Sequence, residues 1–111
     1  MGQLIKTVRF VVNTDAGGTG TSDTRTIEGI IQGFDLIYHA SANANTDVYV
    51  RENDAGIILD VHVETDNATN KFATPSRDDP WIADGAFNVF VTGAGAALTA
   101  AVTVIARVVI G

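Results

Sequence analysis

Two histidines, His39 and His62, are the chain's only imidazoles, and His62 stands within Asp60-x-His62-x-Glu64. On a strand this spacing puts three potential metal ligands on one face. Any solvated strand face alternates in the same way, and no closed tetrahedral ligand set accompanies it. No metal or small cofactor is therefore expected. Asp78, Asp79 and Asp84 could supply a carboxylate pair or oxygen ligands for Ca²⁺, but EF-hand spacing is absent. Asp78, Asp79 and Trp81 form a candidate ligand loop, with Trp81 as a sugar-stacking platform. The plainer reading makes Trp81 the aromatic that anchors this loop in the core. Gly17, Gly18 and Gly20 lie in a polar loop, Asn13 to Asp23, without the Lys and the following helix that a phosphate-cradling loop needs. There is no cysteine and no G-x-S-x-G elbow. An enzyme is not expected.

Charge narrows the partners. The 111 residues carry seven basic and thirteen acidic side chains, for a net charge of −6. The basic residues are scattered, which argues against binding a phosphate backbone. Asn67-Ala68-Thr69 fits a glycosylation acceptor, but Lys6 and Arg9 interrupt the only apolar stretch of the N-terminus, so no secretory signal is read there. Gly85 to Ala106 runs 22 residues without a charge, enough to span a bilayer as a helix. Asn88, the Gly93/Gly95 turn and flanking strand-period alternation oppose that reading.

The elements that must position these residues are strands. Thirteen Val, ten Ile and thirteen Thr dominate, against only four Leu. Such β-branched side chains suit a pleated surface. Leu4 to Val12 predicts a first strand with Val8, Phe10 and Val12 on one face. Thr24 to His39 predicts a long or bent strand with Ile30, Phe34, Leu36 and Tyr38 on one side, Gly29 and Gly33 marking bends or bulges. Asp47 to Glu52 and Ile57 to Glu64 form the most secure hairpin. Val48 and Val50 face in, as do Ile57, Leu59, Val61 and Val63, while Ile58 faces out. Lys71 to Thr74 is a short strand within the Thr65 to Gly85 excursion. Ala86 to Thr92 follows, then Leu98 to Ile110, whose even positions are all apolar. Seven or eight strands separated by turn signals predict one all-β domain over residues 1–111, an antiparallel sandwich or jelly roll.

Doubled apolar positions exceed what a small core needs. Val11-Val12, Ile30-Ile31, Ile57-Ile58 and Val108-Val109-Ile110 place apolar groups on both faces of their strands. Val11, Ile31, Ile58 and Val109 are therefore candidate contacts to another subunit or to a shell. The long terminal strand, if left as an open edge, adds a second reason for assembly.

The order GIIQGFDL (29–36), TDVYVR (46–51), AGIILDV (55–61), a Pro-containing loop, FNVFVTGAG (87–95) and VTVIARVV (102–109) resembles small β-sandwich virion proteins of tailed bacteriophages, particularly head decoration (cement) proteins. The resemblance covers nearly all of the chain as a pattern of strands and turns and carries over no functional residue. It implies a structural protein on the capsid surface that binds the major capsid protein shell, often as a trimer. From the charge and the strand-period alternation, neither a nucleic-acid nor a membrane partner is expected. The alternative is a small carbohydrate-binding sandwich that uses Trp81 and the Asp78/Asp79 loop.

Overall fold

Alternation sets the inward face of the first strand, β1 (Ile5–Val12), where Val8, Phe10 and Val12 are buried and the residues between them are exposed. The computed structural model describes residues 4–37, 46–62, 71–74, 81–95 and 101–109. Its further strands are β2 (Gly20–Thr21), β3 (Arg25–Ile37), β4 (Asp47–Glu52), β5 (Gly56–His62), β6 (Lys71–Ala73), β7 (Trp81–Thr92) and β8 (Val102–Val109). All pairings are antiparallel. The fold is all-β, as its composition predicts. Among the described residues, no helix is long and apolar enough to cross a membrane.

Hydrogen bonding links the strands in the order β1-β8-β3-β7-β4-β5, with β2 on β7 and β6 on β3. Two four-stranded groups are contained in this order, β1-β8-β3-β6 and β2-β7-β4-β5, which is the strand order of a jelly roll. β3 joins them. Its N-terminal half pairs with β7 and its C-terminal half with β8 and β6. Gly29, at φ +131°, lies just ahead of the changeover. One face of both groups encloses a common core that includes Phe10, Ile27, Ile31, Phe34, Leu36, Val48, Phe87, Val89 and Val104. A continuous sheet can bury one face in a single core only by folding over on itself, and strands that pass from one layer to the other do so at bends or bulges.

Two bulges correct the expected faces. Between Ile31↔Val108 and Gly33↔Arg107 the register shifts, leaving Gln32 as the extra residue. Ile27 and Ile31 therefore point into the core with Phe34 and Leu36, and Ile30 points out, 40% exposed. Between Val50↔Leu59 and Arg51↔Ile57 the extra residue is Ile58. Ile58 and Leu59 are both buried, and Ile57 is turned out. Each bulge inserts one residue and so shifts the two-residue side-chain period by one. Ile31 and Ile58 thus belong to the core and are not contact residues.

Strand limits and number also differ from expectation. β7 begins at Trp81, ahead of Ala86. A two-residue strand, β2, lies within the segment read as a loop. The last strand begins at Val102, and Leu98, Ala100 and Ile110 lie outside the described residues. β8 is not an open edge. It is paired along its length with β1 on one side and with β3 on the other. The terminal strand therefore leaves no open edge for another subunit to cover.

Candidate interaction surface

Register brings four aliphatic side chains into one row on the outer face. Ile5 on β1 lies opposite Val109 on β8, Val109 opposite Ile30 on β3, and Ile30 opposite Ile82 on β7. Ile82 is 80% exposed, Ile5 47% and Ile30 40%, and Val109 is half-buried. At the usual strand spacing the row spans roughly 14 Å. Single exposed apolar residues are ordinary on a protein surface, but a contiguous row is a candidate contact site.

Charge is divided across this row. On one side lie Glu28 and Asp84, directly opposite each other on β3 and β7 and both exposed. Neither side chain has a hydrogen-bond or ion-pair partner among the described residues. Like charges directly opposite on neighbouring strands are unfavourable. On the other side lies Arg107, one outward position from Val109 along β8. Its Nε donates to Asp35 Oδ2 at 2.8 Å and its Nη2 to Oδ1 at 3.1 Å. The guanidinium also sits over the Phe72 ring, 5.0 Å from its centroid.

Of the residues proposed from sequence, Val109 takes part in the row. Val11 is 45% exposed on β1. It lines a pocket of about 160 Å³ with Arg9, Phe10, Asp23 and Arg25, where β1 passes the segment leading into β3. Asp78 and Asp79 lie outside the described residues, as do His39 and Glu64. Trp81 starts β7, half-buried against the core, and Asp84 is exposed on the same strand. Among the described residues, no three His, Asp or Glu side chains gather as a metal-ion site. Sequence pattern does not mark Ile5 or Ile82 and sets Ile30 on the Phe34 face, because the row exists only through pairing between segments remote in sequence.

The glycine-rich loop closes on its own anion. The Asp15 carboxylate accepts hydrogen bonds from the Gly17 amide at 2.9 Å, the Thr19 amide at 3.1 Å and the Thr19 hydroxyl at 3.1 Å. The Thr19 amide, then the Thr19 hydroxyl and the Gly17 and Gly18 amides, hold this carboxyl below its usual range. Amides that would face a bound phosphate face Asp15 instead.

On the second group's outer face, Tyr49 and Phe90 are opposite each other with rings stacked at 4.7 Å. Neighbouring Asn88 has a buried Oδ1 without a hydrogen-bond partner among the described residues. No protein-family model matches the chain, and no curated protein matches it.

Proposed function

We propose that this chain is a structural protein of a virus particle, a capsid decoration protein that binds and stabilises a phage head shell. The observation that carries the reading is the Ile5–Val109–Ile30–Ile82 row, an outer sheet face suited to being covered. The jelly-roll strand order is compatible with it, since viral capsid and lectin domains share that architecture, but a fold alone does not specify a function. The low charge content, 18%, suits a partly covered surface. On this reading the chain works as a homo-oligomer docked on a larger protein shell, with no catalytic residue, cofactor, nucleic acid or membrane. The trimer comes from the resemblance alone.

Co-sedimentation with phage heads stripped of their decoration proteins tests the reading. Saturable binding that raises the temperature at which the heads rupture is expected. No binding to heads, together with binding to immobilised glycans that is lost in Trp81→Ala, would replace it with the carbohydrate-binding reading.

A further inference from the structure

We infer that the Ile5–Val109–Ile30–Ile82 face is covered by a second copy of this chain, packed face to face about a two-fold axis that runs along the row. This deepens the proposed assembly by naming what occupies the face. The order of charge across the row selects this occupant. A two-fold contact brings the same patch of both copies together, so the patch must be complementary to itself. Rotation about the row superposes the row on itself and exchanges its two sides. Glu28 of one copy then comes over the side of the row that carries Arg107 in the other, one strand away. That offset is roughly 5 Å, within reach of two long side chains.

The pattern is thus apolar in the centre, with the Glu28 and Asp84 carboxylates on one side and the Arg107–Asp35 ion pair on the other. An exposed like-charged pair, Glu28 and Asp84, gains a cation in the dimer that it lacks among the described residues of one copy. Arg107 is free to serve two carboxylates. Asp35 takes its Nε and Nη2, while its side chain stays 48% exposed. A two-fold contact closes at two copies, so the geometry points to a dimer rather than the trimer that the resemblance implies.

Sedimentation velocity at micromolar concentration reads the outcome. The wild-type chain is expected to be a dimer, and Ile82→Asp a folded monomer, since a side chain this exposed carries little of the core. Glu28→Arg and Arg107→Glu should each weaken the dimer by about tenfold or more, and the double variant should recover it. Arg107→Glu also sets a second carboxylate beside Asp35. Circular dichroism checks its fold, and Arg107→Gln, which should weaken the dimer less, replaces it if the fold is lost. A wild-type monomer, an Ile82→Asp dimer as tight as wild type, or single variants without effect would overturn the inference. A monomer that still binds phage heads removes only the dimer. A dimer that binds no heads removes only the docking reading.

Discussion

The Ser22 hydroxyl accepts the Val89 amide hydrogen at 2.9 Å while the Ser22 amide donates to the Val89 carbonyl at 2.7 Å. A side chain thereby replaces a backbone carbonyl where the register along β7 slips by one, between Thr21↔Phe90 and Arg25↔Phe87. Ser22→Ala leaves a buried N–H without a partner, at an expected cost of about 1–3 kcal/mol. The urea midpoint should fall with the slope unchanged. Ser22→Thr, which keeps the hydroxyl, should lose less. A Ser22→Ala midpoint equal to wild type would show that the Val89 amide finds another acceptor.

Neighbouring isoleucines test the β5 bulge. Ile57 is 52% exposed and Ile58 only 3%. Ile58→Ala should cost about 2–5 kcal/mol, whereas Ile57→Ala should stay within about 1 kcal/mol. Chemical denaturation of the two variants decides it. The reverse ranking would restore simple alternation along the strand.

Two glycines are required for different reasons. Gly56 closes the β4–β5 turn at φ +81° with open space around it, so Gly56→Ala should cost about 1 kcal/mol from backbone strain alone. In the same turn the Glu52 carboxylate accepts the Asp54 and Ala55 amides at 3.1 and 2.8 Å. Gly33 lies under β6, where a Cβ would collide with the Phe72 ring and come within 2.8 Å of the Ala73 carbonyl oxygen. Gly33→Ala should therefore loosen β6, read as increased amide exchange at Phe72 and Ala73. Unchanged protection at both positions would refute that coupling.

Asp15 makes the glycine-rich loop pH-sensitive. Its hydrogen bonds lower its carboxyl pKa in the folded state, so their stabilisation is complete above the usual aspartate range. It is lost as pH falls through the lowered folded value. The Thr19 amide proton should report one titration with a midpoint below an ordinary aspartate, and Asp15→Asn should abolish that step. A midpoint at the ordinary value would mean that the loop does not hold the carboxylate in solution.

The strands were readable wherever alternation ran unbroken. Val8, Phe10 and Val12 on β1, Val48 and Val50 on β4, and Val102, Val104, Ala106 and Val108 on β8 all face the core as their spacing implies. The reading failed at the doublets Ile30-Ile31 and Ile57-Ile58, because a bulge shifts the phase and either member of an apolar doublet can fill the core. Trp81, in the Thr65 to Gly85 excursion, reads as a loop aromatic anchored in the core; it does pack half-buried against the core, but it starts a strand. The aliphatic row was unreadable for another reason. Alternation assigns a residue to a face, but only register decides which exposed residues become neighbours.

The pairing of Ile5 with Val109 has a kinetic consequence. β1 finds its hydrogen-bond partner nearly a full chain length away, and β8 must enter between β1 and β3 to complete that group. Local hairpin formation cannot build this half of the molecule, since the β4–β5 hairpin belongs to the other group. Closing so long a loop is entropically costly before any contact rewards it. Refolding is therefore expected to be slow for a chain of this size, with β1 and its apolar residues waiting in solvent until the final strand arrives.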